Sequence, residues 1–339
     1  MNLVIGATGI LGSHVLLRLL QCGLPVIACK QKTSDTEKVK RLFSYYDSNF
    51  SQLFENIKWV EVDVIDIYSI EEALEGVTTV YNCSGFVSFD KKDRQKLFIV
   101  NEIGTANIVN ACLQKKIDAL CHVSSIATIN NLDYTLPLNE TIFWKFSGKE
   151  SDYAVSKYNA EREVWRGIEE GLNAVIVNPG IILSSGFWNQ SSSKLFEVCY
   201  GGNKFYTQGM ASYVAAQDVA IAMLNLIEKR TFANRFILIE NNYSFKKILD
   251  EIHTHLKKPL PSIKANKAML EMASVLDAFI CAVSNKERRI TKPLIYAALN
   301  NQLFSNTKIK ETININFTPV KLAIEKICSD FLIDKNNES

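Results

Sequence analysis

The 339-residue sequence predicts an α/β fold, a doubly wound parallel sheet with a smaller, mainly helical C-terminal lobe. Three observations carry that prediction. Short apolar runs, read as strands buried on both faces, alternate with helical patterns through residues 1–242. The first run, Leu3 to Ile5, meets three glycines spaced by three and feeds straight into an apolar helical pattern. From about Tyr243 the alternation stops and helical patterns dominate. The expected units are therefore 1–242, which also carries a loop, 180–211, belonging to the lobe, and 243–339, the lobe itself.

The chain opens Met1-Asn2-Leu3-Val4-Ile5-Gly6-Ala7-Thr8-Gly9-Ile10-Leu11-Gly12. A strand feeding a glycine turn that opens a helix is the architecture of a dinucleotide-binding Rossmann domain. Gly6 allows the sharp exit from the strand. Gly9 lets the backbone approach a pyrophosphate, with Thr8 and Ile10 beside it, and Gly12 lets the helix pack closely. The unpaired N–H groups of the first helical turn then face phosphate charge.

A second strand, Pro25–Cys29, ends in Lys30-Gln31-Lys32-Thr33-Ser34, with no acid before Asp35. A site for NAD(H) places a carboxylate there for the ribose 2′-hydroxyl, so two ammonium groups favour NADP(H) over NAD(H). A polar, aromatic-bearing helical insert spans 35–56. The third strand, Ile57–Val62, ends at Asp63-Val64, and an Asp after a strand also suits a helix cap. Ser69 with Glu72 reads as a capping box. Strand four, Thr79–Asn82, runs into the small residues Cys83-Ser84-Gly85, which let backbone pass close to a cofactor ribose. A helix then begins near Leu97 and contains Asn101-Glu102-Ile103-Gly104-Thr105-Ala106-Asn107. Gly104 inside a helix costs about 1 kcal/mol relative to alanine, which points to a close packing contact. Strand five, Ala119–Val123, ends at Ser124-Ser125. Tyr153 and Lys157, four apart on the next helix, share one face. The sixth strand, Ala174–Val177, runs into Asn178-Pro179-Gly180-Ile181-Ile182. Asp218 is expected to cap the following helix, and Phe236–Ile239 to be the last sheet strand.

These motifs resemble the extended branch of the short-chain dehydrogenase/reductase superfamily, the NAD-dependent epimerase/dehydratase-like group, over residues 1–245. GATGxxG, N-x-x-G-T-x-N and Asp-Val-Ala are all present, and Cys83-Ser84-Gly85 stands where relatives carry an Ala- or Gly-rich run. The sequence is most similar to the dihydroflavonol-reductase and 3β-hydroxysteroid-dehydrogenase-like members. The resemblance implies hydride transfer between nicotinamide and a carbonyl or alcohol, with Ser125, Tyr153 and Lys157 as the catalytic set and Ser124 as a substitute for Ser125. It implies adenine contacts at Asp63 and Val64, and a Pro-Gly turn along which Pro179, Gly180, Ile181 and Ile182 contact the nicotinamide. Asn101 would support a water relay behind the lysine. A free tyrosine has a pKa of ~10, so as a neutral-pH base Tyr153 needs the nearby Lys157 ammonium. Sugar dehydratases of the group place an acid after the catalytic Ser or Thr, whereas Ser125 is followed by Ile126-Ala127-Thr128. The aromatic-bearing segments 141–146 and 186–206 suggest a largely apolar small-molecule substrate. A nucleotide-sugar epimerase with retained cofactor is the enzymatic alternative, and a non-catalytic NADP(H)-sensing protein the other.

Composition narrows the rest. A formal net charge of +2 argues against a dedicated nucleic-acid binder, and 47% hydrophobic residues suffice for a core. Eight cysteines show no metal spacing and read as reduced thiols of a cytoplasmic protein. The N-terminus does not read as a signal peptide, and no membrane span is expected. Ala268–Val283, interrupted by Glu271 and Asp277, reads as a core or pocket helix. His253 and His255, two apart, point to different faces and read as surface residues, so no metal site is expected. A final amphipathic helix runs to Phe331, Asp334 to Ser339 read as frayed, and the assembly is left open, with a homodimer as one form.

Overall fold

The computed structural model describes residues 1–130, 137–148, 150–284, 288 and 290–338. The chain opens with β1 (Asn2–Ile5), α1 (Ile10–Gln21) and β2 (Val26–Lys30). The insert forms α2 (Glu37–Tyr46) and α3 (Phe50–Glu55), before β3 (Lys58–Glu61), α4 (Ile67–Ala73) and β4 (Thr79–Asn82). Next come α5 (Arg94–Leu97), a π-helical segment (Phe98–Ile103), α6 (Gly104–Gln114), β5 (Ala119–Val123), α7 (Asp152–Glu169) and β6 (Ala174–Pro179). The chain continues through β7 (Ile181–Leu183), α8 (Lys194–Tyr200), β8 (Phe205–Tyr206), β9 (Met210–Ala215), α9 (Ala216–Glu228), β10 (Asn234–Leu238) and β11 (Asn241–Ser244). The last third holds α10 (Phe245–His255), β12 (Ile263–Lys264), α11 (Lys267–Ser284), α12 (Lys292–Leu299), α13 (Thr307–Ile313) and α14 (Val320–Glu338).

Seven strands form one parallel sheet in the order β10-β6-β5-β4-β1-β2-β3. Strand order reverses beside β1, so the crevice at the carboxyl ends of β1, β2 and β4 is where such sheets take ligands. The apolar runs face both ways, with the strand period of two. Val4, Cys121, Val175 and Val177 join the core beneath α1 and α9, where Val15, Leu16 and Leu19 meet Val219, Met223 and Leu226. Leu3, Ile5, Leu120, Ala174 and Ile176 face the other core, with Ile108, Val109 and Cys112 of α6 and Val164 of α7.

Several local expectations change. Ser69 opens no helix: Asp66 caps α4, accepting from the Tyr68 N–H, and Ser69 lies inside the helix and donates to the carbonyls of Asp63 and Asp66. Residues 178–182 make no turn. β6 runs through Gly180 into β7, which leaves the main sheet and pairs with β9. A Cβ on Gly180 would lie 2.4 Å from the Ser212 carbonyl oxygen, so the handover needs glycine. Asp218 is not the cap of α9, a place taken by Ala215. It is buried in the first turn and accepts from the Thr318 N–H (2.6 Å) and Thr318 Oγ1 (3.0 Å), tying the C-terminal chain to the sheet's core.

The C-terminus is not frayed at Asp334. That side chain is buried and is held by Arg41, Tyr45 and Trp188 Nε1, while Ile324, Ile327 and Phe331 pack against Ile248 and Ile252 of α10. His253 is fully buried, its Nδ1 2.7 Å from the Pro259 carbonyl. The α11 helix is not a core helix: five of its large apolar side chains face outward, while Leu270 near its start lines a cavity.

Candidate functional site

The glycine turn lies at the carboxyl end of β1, beside β4. Gly6 has φ +78°, and a Cβ there would sit 2.7 Å from the Ser84 nitrogen. Gly9 is the N-cap of α1 and brings no capping side chain, so among the described residues the first-turn N–H groups of this central helix have no partner of their own. A Cβ on Gly12 would lie 2.1 Å from the Gly6 carbonyl oxygen. Gly12 therefore packs against the turn itself, a tighter requirement than closeness to the sheet. We expect Gly12→Ala to displace the turn and to destabilise the fold by about 1–3 kcal/mol, read as a lower urea midpoint together with lost dinucleotide affinity.

Thr8 Oγ1 bonds Ser34 Oγ (3.2 Å), tying the glycine turn to the loop after β2. Lys30, the last residue of β2, and the exposed Lys32 sit on that loop's side of the crevice, and among the described residues neither has a carboxylate within ion-pair range. Asp63 uses one carboxylate oxygen to accept from the Ile65 N–H (3.1 Å), and does not cap a helix. Val64 is buried against Gly104, where a Cβ would lie 2.7 Å from Val64 Cγ2. That is the close contact for which the helix gives up a side chain. Ile10 begins α1, and Ile181 and Ile182 begin β7 just after Pro179, the last residue of β6, and Gly180.

Ser125, Tyr153 and Lys157 converge at the end of β5. Ser125 Oγ accepts from the Ala127 N–H (3.1 Å). Burial pushes the Tyr153 phenol above its ordinary range, and the nearby Ser125 hydroxyl pulls the other way. Phe89 closes on the ring edge, with centroids 5.6 Å apart. Lys157 is buried at 4% exposure, and its Nζ donates to the Val123 carbonyl (2.7 Å). Burial brings its ammonium down to about 8, with the Glu161 carboxylate opposing the fall. A Cβ on Gly85 would come within 3.7 Å of that Nζ. The backbone after β4 thus passes directly over the lysine, while Cys83 bonds through its N–H to Ile5 and Ser84 donates twice to Asn82 Oδ1.

Two expected residues are engaged by the protein itself. Ser124 Oγ donates to buried Glu161 (2.7 Å), so its proton is already committed. Asn101 sits in the π-helical segment, whose wider turns carry its side chain to the loop after β4. It accepts from the Phe86 N–H (2.7 Å) and donates to the Phe86 carbonyl (3.0 Å) and to Ser156 Oγ (2.9 Å). Both of its amide hydrogens are therefore engaged, which makes it a bracket between that loop and α7.

The sequence reading passed over Glu161. Its carboxylate, 2% exposed, accepts from Ser124, Thr128 (2.9 Å) and Asn178 (2.9 Å) and pairs with Arg235 (3.1 Å). It clamps the ends of β5 and β6 to α7 and β10. The signal was present: Tyr153, Lys157 and Glu161 are each four apart and so share one helix face. Buried Asn82, whose amide donates to His122 Nδ1 (3.0 Å), carried no such signal. Among the described residues no group of three His, Cys, Asp or Glu could hold a metal.

A model of the NAD dependent epimerase/dehydratase family matches residues 2–237. The chain is 26% identical to sterol demethylase protein B of Methylococcus capsulatus, over 81% of this chain and 80% of that protein. It is 28% identical to anthocyanidin reductase of Arabidopsis thaliana, over 73% and 78% of the two chains. A nucleoside-diphosphate-sugar epimerase from Pseudomonas aeruginosa superposes with TM-score 0.77 at 18% identity, covering 98% and 97%. UDP-glucose 4-epimerase of Thermus thermophilus, solved with NAD, gives 0.72 at 17% identity, covering 98% of each chain.

Proposed function

The chain belongs to the NAD dependent epimerase/dehydratase family, and from that premise we propose that it is an NADP(H)-dependent oxidoreductase interconverting a carbonyl and an alcohol. The observation that carries the reading is the convergence of Ser125, Tyr153 and Lys157 beside a glycine turn whose helix amides have no partner of their own. The turn fits a dinucleotide diphosphate, because a Cβ at Gly6 or Gly12 would fill the cradle. Gly6, Thr8, Gly9, Ile10 and Gly12 would hold the diphosphate, Asp63 and Val64 the adenine, and Cys83, Ser84 and Gly85 the nearer ribose. When bound, the nicotinamide supplies or takes the hydride.

The rest is the chain's own work. Tyr153, its phenol held protonated by burial, donates a proton to the carbonyl oxygen in reduction. Ser125 donates a hydrogen bond to the same oxygen and stabilises its developing charge. Lys157, charged below about pH 8, favours the tyrosinate needed for the reverse direction. No acid follows Ser125, so dehydration lacks its base. Phe86, Phe89 and the Trp144–Tyr158 stack beside α7 support an apolar or aromatic substrate, as do relatives named for flavonoid and sterol chemistry. Among the described residues none of the eight cysteines is in a disulfide, which suits a reducing compartment such as the cytoplasm.

The experiment is a screen of apolar aldehydes, ketones, hydroxysteroids and nucleotide sugars, following NADPH absorbance and, separately, epimerisation. Turnover of a carbonyl with NADPH consumption is expected. Epimerisation without net NADPH change would replace the reading with an epimerase, and bound cofactor with no turnover would replace it with a sensor. For the cofactor, changing Lys30 and Lys32 to alanine should weaken NADP binding about tenfold or more and leave NAD binding nearly unchanged, since each lysine would pair with the 2′-phosphate. Titration of both cofactors checks this, and tighter NAD than NADP binding in the wild type would overturn it.

A further inference from the structure

The α11 helix is built inside out. Ser274 and Asp277 face the segment that follows the helix: Ser274 Oγ donates to the Ile290 carbonyl (2.9 Å), and the Asp277 carboxylate accepts from the Ile290 N–H (3.1 Å) and pairs with Arg288. Met272, Val275, Leu276, Phe279 and Ile280 lie on the opposite side, 59–71% exposed. Their spacing of three and four places them on one helical stripe. The β8–β12 ribbon leading into α11 adds Phe205 and Ile263, paired in register and both exposed. Isolated exposed apolar residues need no explanation, but a continuous stripe marks an interaction surface.

The charge around the stripe identifies what covers it. The described residues of 256–293 carry six basic and two acidic side chains, a net of +4 where the whole chain carries +2. Lys264 and Lys267 stand exposed at the start of the helix and Lys292 at the start of α12. A second copy docking through this face would bring its positive charge against itself. An anionic bilayer surface instead offers hydrocarbon for the stripe and headgroup phosphates for the lysines. No described helix is long and apolar enough to cross a membrane. We propose that α11 lies in the surface of an anionic membrane, apolar stripe inward, and makes the protein peripheral. An apolar cavity of about 230 Å³, lined by Phe205, Ala265 and Leu270 of the same elements with Leu195, Phe245 and Ile248, lies beside this face.

The test is co-sedimentation of the full chain with vesicles of equal parts phosphatidylcholine and phosphatidylglycerol, beside vesicles of phosphatidylcholine alone. The wild type should bind the anionic vesicles and release as salt is raised. Leu276→Glu with Phe279→Glu should lower the bound fraction about tenfold or more, since two anchoring side chains lose their burial. Lys264→Ala with Lys267→Ala should weaken binding to anionic vesicles only. Unchanged thermal unfolding shows that the variants fold, because all four side chains face solvent. Wild type that stays in solution with both vesicles overturns the proposal. So does a concentration-dependent dimer, by analytical ultracentrifugation, that the Leu276 and Phe279 substitutions dissociate.

Discussion

Tyr153→Phe is expected to lower carbonyl reduction about 10²–10⁴-fold, the range for a lost general acid, while NADPH still binds. The substitution removes one oxygen and leaves the ring in its place against Phe89. Ser125 keeps its own bond from the Ala127 N–H, so the turn stays formed. Stability should therefore change little, and the loss should fall on kcat. Steady-state kinetics with the substrate found by the screen, together with a cofactor titration, separate the two effects. Carbonyl reduction that survives the substitution unchanged refutes the role given to Tyr153. Lost cofactor binding would instead assign Tyr153 to the binding site.

Glu161→Gln should produce the largest loss of stability, about 3–5 kcal/mol, as expected when one partner of a buried ion pair is removed. Arg235 would lose its charged partner and keep only neutral oxygens, the amide oxygen of the new side chain and the carbonyls of Glu140 and Ile142. The new amide hydrogens would also point at Ser124, Thr128 and Asn178, which are donors to the carboxylate. A urea midpoint measures the change. A second consequence distinguishes this residue from an ordinary core clamp. Glu161 raises the Lys157 pKa against the effect of burial, which leaves it at about 8. Without that carboxylate the ammonium loses its proton at lower pH, so the alkaline limb of the oxidation profile should shift downward. A stability loss with an unmoved pH profile would leave Glu161 a purely structural clamp.

The sequence alone determined the sheet. Runs such as Leu3–Ile5 and Ala174–Val177 are buried on both faces, and burial on both faces writes itself as continuous apolar residues. It also determined the glycine turn and the Tyr153–Lys157 face, because φ above zero, close backbone approach and helical spacing each demand particular residue types at fixed intervals. Whatever depended on distant partners was decided by the tertiary structure. Ser124 and Ser125 are adjacent and chemically alike, and only the fold gives them different partners, Glu161 for one and the Ala127 N–H for the other. Gly180 read as a turn because nothing local announces that β6 passes beneath Ser212. Asp218 and Asp334 read as a cap and a frayed end because their partners, Thr318 and Arg41, lie 100 and 293 residues away in sequence. The outward stripe of α11 was hidden for the same reason. Apolar helix positions look alike whether they face a core or the outside, and only the packing of Ser274 and Asp277 shows which way the helix is turned.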